Sequence, residues 1–236
     1  MSLVAESAVS VLGLEATTPE TEWVVLHGVR FREYLALREE PANGHLRMVY
    51  QNGMLEILSP EATHERPSHR VVILISVLCE ELNIEFEGLG STTFQRGAKR
   101  LKKGHGMEPD ECFYFGNAPK IQGKGKIDLD LDPPPDLWVE VDHRSSSLER
   151  LPVYAAFGVP EVWRLWAASD HLWFGRLAND GKSYEAIDRS LALPMLTPVL
   201  VLEALALGHG VLEMTWTKTL RAWVREKFGP TLFLGH

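Results

Sequence analysis

The sequence predicts an α/β protein, a mixed β-sheet with flanking helices, and three observations carry that expectation. An Asn52-Gly53 pair separates two short apolar runs. Apolar residues recur at helical spacing through Ser68–Leu82. Beyond that segment, short β-patterned runs alternate with helical ones to the end of the chain. With 236 residues, 45% of them hydrophobic and 24% charged, the chain can bury a substantial core.

Taken in order, residues 1–24 form a peripheral lead in which Thr17, Thr18, Pro19 and Glu20 resemble a helix start. Residues 25–236 contain neither an internal repeat nor a linker and are expected to form one domain. Gly28–Arg38 suits a short helix. Leu46–Gln51 and Met54–Leu58 flank the Asn-Gly pair and form a hairpin, because both turn residues tolerate a left-handed backbone. Pro67 opens the helix of Ser68–Leu82, whose apolar stripe is Val71, Leu74, Ile75, Leu78 and Leu82. Glu85–Phe94, Met107–Phe115 and Pro135–Asp142 read as strands, the last two separated by a polar loop at 116–134. A helix from about Ser147 to Phe157 is stopped by Gly158, although Pro152 makes it irregular or moves its start later. Val162–Trp166, His171–Leu177 and Ser183–Asp188 form an antiparallel meander turning at Asn179-Asp180-Gly181. Helices near Pro198–Leu207 and Lys218–Lys227 complete the chain.

Composition narrows the function classes. No window approaches the roughly 18 consecutive apolar residues of a membrane span, and Met1–Thr18 lacks the basic and apolar segments of a signal peptide. Cys79 and Cys112 lie in apolar runs without CxxC spacing, which points to buried thiols in a reducing cytoplasm. A net charge of −8 argues against polyanion binding by global attraction. The local cluster Arg96, Lys99, Arg100, Lys102 and Lys103 leaves nucleic acid open as a partner, although such a run is more often a solvated face.

Three acidic residues fall at strand boundaries: Asp110 in Glu108-Pro109-Asp110, and Asp136 and Glu140 in the alternating run Asp136-Leu137-Trp138-Val139-Glu140-Val141. Alternation places Asp136 and Glu140 on one sheet face. Glu140, between two valines, needs a partner or a metal to offset its burial. If the strands pair, Asp110 and Glu140 converge as hard oxygen ligands of the kind Mg²⁺ takes. Singly, an Asp after proline more often caps a turn, and a strand Glu more often meets Arg or Lys. Their joint occurrence raises the functional alternative.

The ordered set Asn52-Gly53-Met54-Leu55-Glu56-Ile57-Leu58-Ser59-Pro60, His64-Glu65, Pro109-Asp110, Asp136–Val141 and Tyr154–Trp163 resembles the Uma-two family of endonuclease-like proteins, within the PD-(D/E)xK superfamily. The resemblance spans about residues 45–190. It implies a restriction-endonuclease-like fold and a Mg²⁺- or Mn²⁺-dependent endonuclease acting on nucleic acid, with DNA the expected substrate. By the resemblance, Asp110 and Glu140 match the two metal-binding carboxylates and Glu65 the acidic residue supplied by the first helix. Glu56 matches an acidic position of the early hairpin. The ExK lysine is replaced by Asp142, and the basic position shifts to Arg150, four residues ahead of Tyr154. Arginine cannot act as a base but can hold a phosphate bidentately. A homodimer is compatible with the resemblance, because nucleases that act on duplexes are often dimers.

Other motifs fail on geometry. His64-Glu65 lacks a histidine at the fourth position after His64, and Pro67 interrupts, so it is no zinc-protease HExxH. Asp128, Asp130 and Asp132 imitate an EF-hand start, but Pro133 and Val139 replace the required Gly and Glu, leaving a solvated acidic loop. Trp138, Trp163 and Trp166 lie in apolar contexts and read as core. Three function classes stay open: a metal-dependent nuclease, a nuclease-fold module that binds nucleic acid or protein without catalysis, and a metal-dependent hydrolase of another substrate.

Overall fold

A computed structural model describes residues 23–58, 62–90, 92–97, 104–142, 150–166 and 169–229; side chains of 23 and 62–65 are outside the described set. The N-terminal lead up to residue 22 and Lys99, Arg100, Lys102 and Lys103 of the basic cluster also lie outside it.

The first sheet contains β1 (Trp23–His27), β2 (Arg47–Gln51), β3 (Met54–Leu58), β5 (Phe94–Arg96) and β6 (His105–Met107); β4 (Glu87–Gly88) belongs to the second. Its five strands run in the order β1-β3-β2-β6-β5, all antiparallel. The hairpin falls where expected, and Asn52 and Gly53 both adopt positive φ, 49° and 85°, as a tight two-residue turn matched to strand twist requires. Helix α1 (Phe31–Glu39) lays Phe31 and Tyr34 on this sheet, Tyr34 stacked on Tyr50 and Phe31 tilted against it. The fit is close: a side chain at Gly106 would overlap the Tyr34 ring, and one at Gly104 the Phe31 ring.

The second sheet adds β7 (Glu111–Tyr114), β8 (Leu137–Asp142), β9 (Glu161–Trp166), β10 (His171–Leu177) and β11 (Tyr184–Ile187) to β4. Its six strands run β11-β10-β9-β8-β7-β4. Among the described residues, only β8 and β9 pair in parallel, joined across helix α4 (Leu151–Phe157), which makes the sheet mixed as expected. The meander of β9, β10 and β11 is antiparallel, also as expected. Gly158 ends α4 in the left-handed conformation at φ 74°.

Several boundaries differ from expectation. The long helix α2 covers Ala62–Leu82, so Pro67 lies inside it rather than at its opening. The apolar stripe of α2, buried against the second sheet, offsets the backbone hydrogen bond that an interior proline removes. Two expected strands are each divided between the sheets. Glu85–Phe94 yields only β4 and the start of β5, and Met107–Phe115 yields the end of β6 and all of β7. In the second case Pro109 supplies the break, because it has no N–H for a ladder and restricts the residue before it. The 116–134 loop contains a short helix α3 (Ala118–Ile121) and buries Ile127 and Leu129, so it is only partly solvated.

Helices α5 (Pro198–Ala206) and α6 (Glu213–Phe228) join α2 on one face of the second sheet, over Val139, Val141, Trp163, Leu165 and Phe174. The last helix begins five residues earlier than expected. Trp138, Val162, Cys112, Tyr114, Tyr154 and Phe157 fill a second core on the opposite face. Cys79 and Cys112 are free and buried, as read from their apolar contexts. Among the described residues, no helix is long and apolar enough to cross a membrane.

Candidate active site

The site lies on the α4 face of the second sheet, where the two sheets approach. Alternation along β8 sends Leu137, Val139 and Val141 into the core under α2 and turns Trp138, Glu140 and Asp142 to the other side. Cys112 pairs with Trp138 and Glu111 with Val139, so Asp110 stands one step further out, opposite Glu140 on the same face. One Asp110 oxygen accepts the Val141 N–H at 2.6 Å, and the other accepts the Arg47 guanidinium from β2. Asp110 thereby ties the start of one sheet's hairpin to the centre of the other sheet.

Glu140 is 1% exposed. Trp138 Nε1 donates to its Oε1 at 2.8 Å, and Arg150 Nη1 donates to its Oε2 at 3.1 Å. The same guanidinium reaches Glu56 Oε1 from β3 at 3.4 Å through Nη2. Arg150 stands at the N-cap position of α4, where the helix start directs it over β8. Burial pushes the Glu140 carboxyl up to about 7; Arg150 pulls it back and Asp142 adds to the rise. Burial opposes the charge on Arg150 too, yet Tyr154, Glu140, Glu56 and Asp142 around it hold the guanidinium protonated. Tyr154, one turn along α4, is fully buried, and its hydroxyl has no hydrogen-bond partner among the described residues.

The sequence-predicted residues separate accordingly. Arg150 meets Glu140 directly, whereas Asp110 bonds Arg47 and the Val141 N–H on the neighbouring strand. Glu56 joins Glu140, buried on Arg150. Glu65 lies in the first turns of α2, with its side chain outside the described residues. Asp136 does not share the site: it precedes β8 and caps the 115–117 turn, accepting the Phe115 N–H at 2.7 Å and Asn117 Nδ2 at 2.7 Å. Asp142, at the position of the missing lysine, accepts Arg164 Nε at 2.8 Å. Arg47 was not foreseen. A single arginine at a strand start carries no signal of its own, and its partner lies 63 residues away.

Whether a divalent cation suits these residues follows from donor chemistry. Asp110, Glu140 and Glu56 offer buried hard oxygens, and each carboxylate has about four lone-pair positions. Mg²⁺ typically uses one or two carboxylates and keeps waters, so the facing pair Asp110 and Glu140 fits in kind. Among the described residues, no group of three or more His, Cys, Asp or Glu is gathered to hold an ion.

Fold and site together define an α/β protein with a buried acidic and guanidinium centre on a mixed sheet. The chain belongs to the Uma2 family, described as "Putative restriction endonuclease", whose model matches residues 31–210. That match is wider than the stretch carrying the resemblance in the sequence, and it places the chain in the restriction-endonuclease-like class. Among solved structures, the chain is similar to "a putative nuclease belonging to DUF820" from Anabaena variabilis ATCC 29413. That likeness has 14% identity and a TM-score of 0.48, and covers 83% of this chain and 99% of that one. No curated protein matches the chain.

Proposed function

We propose that this protein is a divalent-cation-dependent endonuclease that hydrolyses phosphodiester bonds. The observation that supports the proposal is the buried Glu140 held by Arg150, with Asp110 bonded to the next residue of the same strand, in a chain of a family described as "Putative restriction endonuclease". Asp110 and Glu140 are the residues that would hold Mg²⁺ or Mn²⁺, with Glu65 a further ligand from α2. When bound, such a cation supplies a water of lowered pKa and polarises the phosphoryl oxygens. Arg150 is permanently charged and cannot take a proton, so its role is to bind a non-bridging phosphate oxygen and stabilise the charge that develops there. Arg47, held on Asp110, adds a second guanidinium at the same end of the sheet. The buried indole N–H of Trp138 fixes the orientation of Glu140.

The test is cleavage of single- and double-stranded DNA and of RNA, with Mg²⁺ or Mn²⁺ and with chelator. Cleavage is expected with cation only, lost in Asp110→Ala, and lowered roughly 10²–10³-fold in Arg150→Ala. Arg150→Lys is expected to be at least as fast as wild type. Titration calorimetry with Mn²⁺ should give heat in wild type and none in Asp110→Ala. Absence of cleavage on every substrate would instead favour a nuclease-fold binding module.

A further inference from the structure

The face that carries Glu140 continues sideways across the next two strands. Along β9 the residues on this face are Val162, Arg164 and Trp166; along β10 they are His171, Trp173 and Gly175. Glu140 pairs with Arg164 and Asp142 with Trp166, and these in turn pair with Trp173 and His171. Strands lie about 4.8 Å apart, so the band reaches only about 10 Å from Glu140.

Its chemistry differs from that of the core. Trp138 and Trp163 are fully buried, whereas Trp166 and Trp173 are only half-buried and His171 is exposed. Arg164 is held by Asp142 Oδ2 at 2.8 Å, with its guanidinium carbon 4.9 Å from the Trp166 ring centre. His171 lies against the same indole, with ring centres 4.9 Å apart. Trp173 crosses the strand over Gly175, where its six-membered ring takes the space of a side chain. Gly175 thus lets a large aromatic lie low on an open part of the sheet. Two indoles kept half out of the core, beside a guanidinium and next to a phosphodiester centre, form the kind of surface on which unpaired bases stack.

We propose that Arg164, Trp166, His171 and Trp173 form a base-stacking subsite, which makes single-stranded nucleic acid the substrate class of the adjacent centre. The inference rests on the nuclease reading for its placement, but it concerns binding and is tested without cleavage. Bases inside a duplex already stack on their neighbours, so their faces are closed to this band; unpaired bases present theirs. The net charge of −8 disfavours long-range capture, and a short stacking surface with one local cation does not depend on it.

The experiment titrates the full chain, in chelator, with oligo-dT, oligo-U and a DNA duplex of equal length, reading anisotropy of the labelled strand and tryptophan emission. Single strands are expected to bind at least tenfold tighter than duplex and to quench the emission. Trp166→Leu and Trp173→Leu keep apolar bulk without a π face and should each weaken single-strand binding about tenfold, with the phenylalanine variants restoring most of it. Duplex binding as tight as single-strand binding, or folded leucine variants that bind like wild type, would overturn the proposal. If a leucine variant fails to fold, the wild-type titration decides: no strand preference, or no quenching, overturns it equally. A protein that stacks single strands but never cuts would keep this subsite and lose the nuclease reading; one that cuts duplex and ignores single strands would do the reverse.

Discussion

At the scale of single residues, the site is held together by guanidinium groups. Repulsion among the buried carboxylates is offset because Arg47 faces Asp110 and Arg150 spans Glu140 and Glu56. Arg150 is only 14% exposed at its side chain, so it is not a surface residue. Arg150→Ala removes the guanidinium that Glu140 and Glu56 share, and a loss of about 3–5 kcal/mol of stability is expected by thermal or urea unfolding; Arg150→Lys should retain more of it. His105, whose ring packs edge-on against Phe157 of α4, is also pH-sensitive. Burial, reinforced by Arg96, lowers its pKa, and its Nδ1 is buried without a hydrogen-bond partner. The folded state favours neutral His105, so its contribution to stability is complete above the unfolded value of about 6.5 and is lost as pH falls through the depressed folded value. Melting temperature should therefore fall more steeply below about pH 6.5 in wild type than in His105→Gln. The sequence made Glu140 legible because a carboxylate between valines is costly wherever the strand goes. It gave no access to Arg47, whose meaning depends on a pairing made only by tertiary structure.

At the scale of elements, local signals survived and shared ones did not. The Asn-Gly hairpin, the β9–β11 meander and the Gly158 stop each depend on a few neighbouring residues with a strong backbone preference, and each stands where the pattern put it. The segments that failed, Glu85–Phe94 and Met107–Phe115, each have their two ends paired in different sheets, and local pattern cannot tell one strand from two in such a run. Trp166 differs from its expected core placement for a related reason: its apolar neighbourhood in sequence is, in space, the half-buried end of an inner strand. The packing of α1 on the first sheet gives a direct test. Gly106 admits the Tyr34 ring where any side chain would collide, so Gly106→Ala should cost about 1–3 kcal/mol by displacing α1. Tyr34→Leu in the same background should recover part of that loss, a coupling that a double-mutant cycle would measure.

At the scale of the whole molecule, α6 lies beyond the family match at 31–210 yet completes a core inside it. Trp216, Leu220, Trp223 and Val224 bury against α2 and α5, Trp216 Nε1 donates to the Ala204 carbonyl at 3.0 Å, and Arg225 Nε donates to Glu81 at 2.6 Å. Trp216→Ala should cost about 3–5 kcal/mol, a large part of the 5–15 kcal/mol that typically holds a domain. Removal of residues 213–236 should leave a chain that does not fold, as read by circular dichroism and solubility. The two sheets raise the question of whether they melt separately. The chain crosses between them at Glu108-Pro109-Asp110, and Asp110 grips Arg47 of one and Val141 of the other. The aspartate that faces Glu140 is thus also a rivet between two plates. Calorimetric and van't Hoff enthalpies should coincide in wild type, while Asp110→Ala, with the rivet drawn, should split the endotherm and let the hairpin sheet exchange its amide hydrogens ahead of the other.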